Sequence, residues 1–179
     1  MKELQGFHVV FTLHNSPTSK RMVANGVKTG DSKLLCLPEE ILLTTIISDV
    51  IIENKFKCIA YNICQDHVHI ILVCEANDLT SIVKTIKGKS SFLCLAAGIK
   101  LKGEPLWSQK FFRANLDVWT LSTVSNSPGE IFNSSYLENA INYIINNRNK
   151  HKLPESIELQ HAISKFIITT KEAYEIEDL

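Results

Sequence analysis

Hydrophobic positions along the chain form short apolar runs and longer periodic stretches. Runs rich in β-branched, aromatic and other apolar residues predict four strands, over 6–13, 57–63, 67–74 and 106–113. Apolar residues that recur every three or four positions predict four helices, over 38–52, 77–98, 135–149 and 157–166. Local signals mark the helix ends, because Pro38 suits a first turn, Gly98 suits a C-terminal cap, and Ser135 with Glu138 fits a capping box.

The order of these elements indicates the fold class. Strand, helix, strand, strand, helix, strand is the split βαβ arrangement of a ferredoxin-like sheet. A short turn, 64–66, joins the second and third strands into a hairpin. We therefore predict an α+β fold in which an antiparallel sheet has helices on one face, with the first and third strands central and an added helix at 135–149. The stretch 14–33 lacks periodicity and is predicted to be a long loop or a β-ribbon arm.

Charge is unevenly distributed, although the chain is neutral overall with 19 basic and 19 acidic side chains. Between residues 84 and 113, seven basic side chains minus one acidic side chain leave a surplus of six positive charges. After Pro154 the sign reverses. A surface that binds a polyanion would produce this pattern of charge. A solvated helix face together with a solubilising tail would produce it equally well. We predict one domain over 1–153 and an acidic C-terminal extension over 154–179.

Cysteine usage and hydropathy bear on the compartment. The five cysteines are an odd number and include no Cys-x-x-Cys pair, which argues against a disulfide framework or a structural zinc site. No apolar run is long enough to span a bilayer, and the first residues do not open a signal peptide. We expect a cytoplasmic protein that has no membrane partner.

Two histidines interrupt the third predicted strand. Side chains of a strand alternate between its faces, so His67 and His69 project to the same side. Two imidazoles on one rigid element can offer two nitrogens to a single metal ion. The alternative is that both are ordinary polar residues on the exposed face of a half-buried strand.

A second candidate site lies on the helix predicted at 135–149. Tyr143 and Asn147 are four residues apart and therefore share a helix face. A tyrosine hydroxyl can attack phosphorus, and an amide oxygen can bind the metal that the histidines hold. The alternative is that Tyr143 is an amphipathic packing residue.

Together these motifs resemble the single-tyrosine transposases of the HUH superfamily. The segment 67–72 resembles the histidine–hydrophobic–histidine strand, and 106–112 resembles the tryptophan–glutamine–aromatic segment. Tyr143 and Asn147 resemble the nucleophile helix, and the Tyr-x-x-x-Asn form is closer to the REP-associated transposases than to other relatives. The chain departs from the family at 14–17, where a basic run is usual, in the long segment between Trp107 and Tyr143, and in its neutral charge.

The resemblance implies a transposase that acts on single-stranded or hairpin DNA. In this reading His67, His69 and Asn147 hold one Mg²⁺ or Mn²⁺, and mixed nitrogen and oxygen ligands suit Mn²⁺ at least as well as Mg²⁺. Tyr143 attacks the phosphodiester to give a 5′-phosphotyrosine and a free 3′-OH. Whether the protein is a monomer or a homodimer that exchanges the tyrosine helix stays open.

The predicted DNA contacts are basic and aromatic side chains. The basic candidates for backbone contact are Lys84, Lys87, Lys89, Lys110, Arg113, Arg148 and Lys150. The candidates for stacking on a base are Trp107, Phe111 and Phe112, of which at least two are expected to pack in the core.

Three other functions compete with an active transposase. A domesticated derivative would bind DNA without cleaving it. A histidine-dependent phosphoesterase would leave the Tyr143 helix unexplained, and it would need histidines that the sequence lacks between His69 and His151. A ferredoxin-like RNA-binding module would carry sheet aromatics in RNA-recognition spacing, which we do not find.

Overall fold

A four-stranded antiparallel sheet forms the centre of the computed structural model, which describes residues 3–16, 26, 33–99, 103–116 and 134–175. The strands are β1 (Gln5–Thr12), β2 (Lys57–Cys64), β3 (His67–Cys74) and β4 (Phe112–Asn115). Their order across the sheet is β2-β3-β1-β4, which makes β1 and β3 the central strands. With the helices that follow β1 and β3, this is the ferredoxin-like topology, and the predicted α+β class is confirmed.

Six helices lie in the described part of the chain. They are α1 (Leu37–Glu53), α2 (Leu79–Ala96), α3 (Ser134–Ile145), α4 (Asn147–Lys150), α5 (Ile157–Ser164) and α6 (Thr170–Tyr174). Pro38 lies in the first turn of α1, where its missing N–H leaves no helical hydrogen bond unmade. Just beyond α2, Gly98 has a φ of +76°, and the N–H of Ile99 donates to the Cys94 carbonyl at 2.9 Å. Gly98 therefore closes α2 in a Schellman motif, as its position in the sequence predicts.

The sheet separates two hydrophobic cores, because alternate side chains of each strand point to opposite faces. On the first face, apolar residues of β1, β2 and β3 pack against α1, α2 and α5. On the second face a smaller cluster includes Ile71 and Val73 of β3, Ile144 of α3 and Ala173 of α6. The histidines of β3 share this second face. The added helix α3 therefore packs on the sheet surface that carries the predicted site.

An irregularity in β2 sets the register of the second face. The pairing between β2 and β3 shifts between Cys58 and Ala60, as in a β-bulge. Ile59 and Ala60 consequently both belong to the second core. After the shift, Asn62 pairs with His69, which brings the buried Asn62 side chain beneath α3.

The fourth strand begins later than predicted, at Phe112 instead of residue 106. Leu106 and Trp107 are buried in the first core, and Trp107 makes only an isolated bridge with Leu13. The Trp107 indole N–H donates to Ser90 Oγ at 3.0 Å. The predicted strand over 106–113 is therefore confirmed at its last two residues and wrong before them, because Trp107, which suggested a strand, fills a corner of the core.

Two helix ends also differ from prediction. The helix predicted to run to residue 149 is interrupted at Asn146, where α3 ends before α4 begins. The last predicted helix ends at Ser164, and Phe166 follows it into the first core. Beyond this point Ile168 donates its N–H to the Cys58 carbonyl at 2.9 Å. Described residues between 159 and 173 thus pack in the two cores of the sheet, and the division into a domain and an extension stays a prediction.

Some predicted features cannot be compared with the structure. Most of the stretch predicted as an arm, 14–33, lies outside the described residues, as does the side chain of Ser135 that was predicted to cap α3. Among the helices that the structure describes, none combines the length and the apolar character needed to cross a membrane.

Candidate active site

Three histidines from the two central strands meet on the second face of the sheet. β1 and β3 pair so that His8 lies opposite Ile71 and Val10 lies opposite His69. The His67 and His69 rings are 5.0 Å apart between centroids, and the His8 and His69 rings are 5.2 Å apart. The Nε2 atom of His8 is 2.9 Å from the Nδ1 atom of His69, so one of these nitrogens donates to the other. The predicted pair is thus part of a cluster of three.

A carboxylate fixes the ring of His67. Asp66 Oδ1 lies 2.6 Å from His67 Nδ1, and Asp66 Oδ2 accepts a hydrogen bond from Ser16 at 2.7 Å. The hydrogen bond with His67 lowers the pKa of Asp66, which keeps its carboxylate ionised. Because Nδ1 is engaged, Nε2 is the nitrogen of His67 that remains for a ligand.

The pKa of His67 is shifted in the opposite direction from those of His8 and His69. Burial lowers the pKa of His69 to about 3, with further lowering from the charges of its neighbours, first among them His67. Burial also opposes protonation of His67, but hydrogen bonds to Asp66 and Cys64 outweigh it and raise the pKa of His67 to about 9. Burial lowers the pKa of His8. At neutral pH His69 therefore carries a free lone pair, whereas His67 is protonated unless a cation replaces the proton.

Helix α3 carries Tyr143 to the histidines. The Tyr143 ring centroid lies 5.6 Å from that of His69 and 6.2 Å from that of His8. The ammonium group of Lys150 lies 4.7 Å from the centre of the same ring. The Tyr143 side chain is 42% exposed, so a substrate can reach it from solvent.

Asn62 holds the C-terminal end of α3 on the sheet. Its Nδ2 group donates to the carbonyls of Ile144 and Ile145, at 2.8 and 3.0 Å. These carbonyls belong to the last turn of α3, which has no further helical N–H groups to bond with. Ile144 is fully buried in the second core. The two residues after Tyr143 are therefore anchored, Ile144 by packing and one side-chain hydrogen bond and Ile145 by another.

Asn147 lies next to Cys64 in the structure. It is fully buried, and its Oδ1 atom accepts a hydrogen bond from the Cys64 thiol at 3.5 Å. Its Nδ2 atom is buried and has no hydrogen-bond partner among the described residues. Cys64 pairs with His67 across β2 and β3, so Asn147 reaches the histidine cluster through this cysteine.

A further histidine approaches His67 from the end of α4. The His151 ring lies 5.2 Å from the His67 ring, between centroids. Three potential metal-ligand atoms lie within 4.8 Å of one another here: the Cys64 sulfur and one ring nitrogen each from His67 and His151. The sequence reasoning missed His8, Cys64 and His151. The i,i+4 spacing of Asn147 and His151 could have indicated that both side chains share a helix face near the predicted site. The approach of His8 to His69, in contrast, depends on the register between β1 and β3.

The predicted DNA-contacting cations occupy two kinds of position. Those that the structure leaves exposed are Lys84, Lys89, Lys110, Arg113 and Lys150. Lys87 is partly buried, and its ammonium group donates to the Ser108 carbonyl at 2.7 Å. Arg148 is only 3% exposed and donates to Glu40, Ile63 and Pro154. Lys87 and Arg148 are thus engaged inside the protein.

The three predicted stacking aromatics also separate. Trp107 is buried in the first core and Phe111 packs partly against it. Phe112 is 59% exposed, and its ring centroid lies 6.4 Å from that of His8. Phe112 therefore borders the histidine cluster on the side away from α4.

A ferredoxin-like sheet with a histidine pair on a central strand and a tyrosine helix beside it is the arrangement expected of a single-tyrosine transposase. The chain belongs to the IS200-like transposase family. The model of this family, described as "Transposase IS200 like", matches residues 32–146, which is more than half of the chain. The match includes both histidines and Tyr143, and the predicted family is confirmed.

Solved structures of similar proteins include two transposases. One is a REP-associated tyrosine transposase bound to a REP hairpin, with 17% identity, a TM-score of 0.47, and coverage of 82% of this chain and 68% of that one. The other is a protein from Deinococcus radiodurans R1 assigned as a transposase, with 17% identity, a TM-score of 0.42, and coverage of 86% and 94%. A comparison with curated protein sequences gave no significant match.

Proposed function

We propose that this transposase cleaves and rejoins single-stranded, hairpin-containing DNA, with Tyr143 as the nucleophile. The observation that carries the proposal is the position of the Tyr143 ring, 5.6 Å from the His69 ring and partly open to solvent. Hairpin DNA as the substrate is what the family resemblance implies. The cytosol as the compartment is inferred from the cysteine usage of the sequence.

In the proposed reaction the Tyr143 oxygen attacks the scissile phosphorus in line with the departing 3′-oxygen. The new O–P bond replaces the bond to that oxygen, so a 5′-phosphotyrosine and a 3′-OH result, and the tyrosine proton ends on the 3′-oxygen. The covalent intermediate conserves the energy of the phosphodiester. Attack by another 3′-OH reverses the step and joins strands without ATP.

The contacts of the histidine rings fit a divalent metal centre. Asp66 engages Nδ1 of His67 and His8 engages Nδ1 of His69, so each ring keeps Nε2 for an ion. Partners of this kind orient the histidines of metal sites. The proposed ligand set is completed by the Oδ1 oxygen of Asn147, a buried residue beside Cys64. When bound, Mg²⁺ or Mn²⁺ supplies Lewis-acid polarisation of the scissile phosphate.

The proposed DNA path crosses the second face of the sheet beside Tyr143. Lys150, above the tyrosine ring, supplies a positive charge for a phosphate, and Phe112 offers an exposed ring for a base. The other exposed cations of the prediction, Lys84, Lys89, Lys110 and Arg113, remain candidates for the flanking backbone. Because α3 packs on β2 and β3 of the same chain, the proposed site is complete in one subunit, and a homodimer that exchanges α3 is the alternative.

A covalent-adduct assay tests this proposal. The protein is incubated with a library of hairpin-containing single-stranded DNA in Mn²⁺ or in EDTA, and the products are separated under denaturing conditions. Tyr143→Phe is compared with Tyr136→Phe, since Tyr136 is an exposed tyrosine on the same helix.

We expect a metal-dependent DNA–protein band that Tyr143→Phe abolishes and Tyr136→Phe retains. A band that survives Tyr143→Phe would reject the nucleophile. If the folded, metal-loaded protein binds the library without forming any band, the proposed cleavage is wrong and a binding-only derivative is the better description.

A further inference from the structure

We propose that Cys64, His67 and His151 form a binding site for a thiophilic divalent cation of the Zn²⁺ class. This site has two ligands that the proposed reaction does not use, Cys64 and His151, and shares His67 with the ligand set of that reaction. The existence of the site does not depend on the proposed function, whereas its expected effect on DNA cleavage rests on that function.

The backbone brings the three side chains together from different parts of the chain. Cys64 is the last residue of β2 and pairs directly with His67, the first residue of β3. Directly paired residues of antiparallel strands share a face, so the thiol and the imidazole are neighbours. His151 follows α4, and its N–H donates to the Asn147 carbonyl at 3.1 Å, which fixes its backbone beside the sheet.

The separations are close to those of a metal site. All three ligand atoms lie within 4.8 Å of one another, whereas ligands on a tetrahedral zinc ion are about 3.5 Å apart. The His151 side chain is exposed, so a rotation of this side chain can supply the remaining movement. Asp66 already holds Nδ1 of His67, which leaves Nε2 directed to a ligand.

The surroundings of Cys64 contain an independent sign of a missing partner. The buried Nδ2 atom of Asn147 has no hydrogen-bond partner among the described residues, although its Oδ1 atom accepts from the Cys64 thiol at 3.5 Å. A buried amide N–H without a partner costs about 1–3 kcal/mol. A metal-bound thiolate would remove this cost, because the Asn147 amide could turn and donate Nδ2–H to the sulfur.

The ligand chemistry favours zinc over the hard cations. One thiolate and two imidazoles are ligands that Zn²⁺ prefers, and three protein ligands leave a fourth position for water. Binding releases the thiol proton of Cys64 and the Nε2 proton of His67 to solvent. The Nε2 atom of His67 can bind only one ion at a time, so zinc here excludes the cation of the proposed reaction. Zinc at this position would therefore inhibit cleavage.

Cobalt titration tests the site without using DNA, because Co²⁺ occupies zinc sites and a cobalt–thiolate bond absorbs in the near ultraviolet. We expect about one Co²⁺ per chain to give a thiolate charge-transfer band that Zn²⁺ removes by displacement. Cys64→Ser should abolish the band, and the exposed variant His151→Asn should weaken Co²⁺ binding at least tenfold. The matched controls, Cys36→Ser and His161→Asn, alter an exposed cysteine and an exposed histidine elsewhere and should leave the band unchanged.

Several results would overturn the site. The absence of a thiolate band in the folded wild-type protein, or its persistence in Cys64→Ser, would refute thiolate ligation. Unchanged Co²⁺ affinity in His151→Asn, with a circular dichroism spectrum like that of the wild type, would refute the third ligand even if Cys64→Ser proves unstable.

The effect on cleavage is measured separately in the adduct assay. We expect Zn²⁺ equimolar with the protein to suppress the Mn²⁺-dependent adduct formation of the wild type. The adduct formation of His151→Asn, expressed as a fraction of the rate of the same variant without zinc, should fall much less. Equal suppression in both would reject zinc inhibition through this site. If no adduct forms under any condition, the proposed reaction fails, while the cobalt band still decides the metal site.

Discussion

Substitution of Asn62 by alanine should uncouple Tyr143 from the histidines while leaving DNA binding intact. Asn62 is buried at 2% exposure and donates to the carbonyls of Ile144 and Ile145 at 2.8 and 3.0 Å. These carbonyls lie one and two residues beyond Tyr143 on α3. Asn62 is a positioning residue, because its Nδ2 group bonds to the helix that carries the nucleophile.

The magnitude follows from three lost hydrogen bonds, because Asn62 Oδ1 also accepts from the Ile63 N–H at 2.9 Å. Each contributes about 1 kcal/mol, so the free energy of unfolding should fall by about 3 kcal/mol. In a chain of 179 residues this corresponds to a decrease in melting temperature of about 6–12 °C. The packing of Ile144 still holds α3, but a displacement of the nucleophile by about 1 Å can slow a reaction by about a hundredfold.

The assay compares the rate of adduct formation at saturating DNA with the affinity for the same DNA. We expect Asn62→Ala to lose about tenfold to a hundredfold in the rate, by misplacing the reactive oxygen, with the dissociation constant unchanged. Asn146→Ala is the matched control, since Asn146 is exposed and its Nδ2 group donates to the Asn142 carbonyl of the preceding helix α3, away from the sheet. If Asn62→Ala unfolds like the wild type and forms adduct at the wild-type rate, the anchoring role is wrong.

Three further substitutions test other parts of the site. Asp66→Asn removes the carboxylate that orients the His67 ring, so calorimetry should detect about 10–100-fold weaker Mn²⁺ binding. Unchanged Mn²⁺ affinity would count against the role of Asp66 in orienting His67. Arg148→Met leaves a buried carboxylate unpaired, so chemical denaturation should show a loss of about 3–5 kcal/mol, whereas a loss below about 1 kcal/mol would indicate a surface role. Phe112→Ala should weaken binding of single-stranded DNA by about 1–3 kcal/mol in a fluorescence titration. The control Phe92→Ala, at a side chain that is 71% exposed against 59% for Phe112, should not, so equal effects would refute stacking.

Much of the sheet was predictable because local signals and tertiary structure agree there. The predicted bounds of β3 match the structure, since an apolar segment without Gly or Pro can be buried on both faces of a central strand. The end of α2 was predictable from Gly98, whose positive φ few other residues adopt readily. The face that His67 and His69 share follows from strand alternation alone.

The errors arose where distant residues decide local structure. The break after α3 coincides with hydrogen bonds from Asn62, more than 80 residues earlier in the chain. Arg148 looked like a surface cation next to Lys150, but its partner Glu40 is 108 residues away. Burial raises the pKa of Glu40, and the Arg148 guanidinium offsets part of that rise. No local pattern around Arg148 announces such a pair.

The histidine cluster shows the same division between local and long-range information. The predicted pair lies on one strand, but His8 reaches His69 only because β1 and β3 pair in a particular register. His151 approaches His67 only because α4 lies beside the end of β2, where Asn147 Oδ1 accepts from the Cys64 thiol. Sequence spacing therefore predicts the histidine pair, whereas the complete donor set depends on the tertiary structure.

The central claim is that Tyr143 becomes covalently joined to DNA, and peptide mass mapping of the trapped complex tests it most directly. The protein is reacted with hairpin DNA and Mn²⁺, digested with nuclease and protease, and searched for a tyrosine peptide that carries a nucleotide 5′-phosphate. The account predicts the modification on the peptide that contains Tyr143 and on no other tyrosine peptide. A nucleotide on Tyr136 or Tyr61, or cleaved DNA with no modified peptide at all, would contradict it.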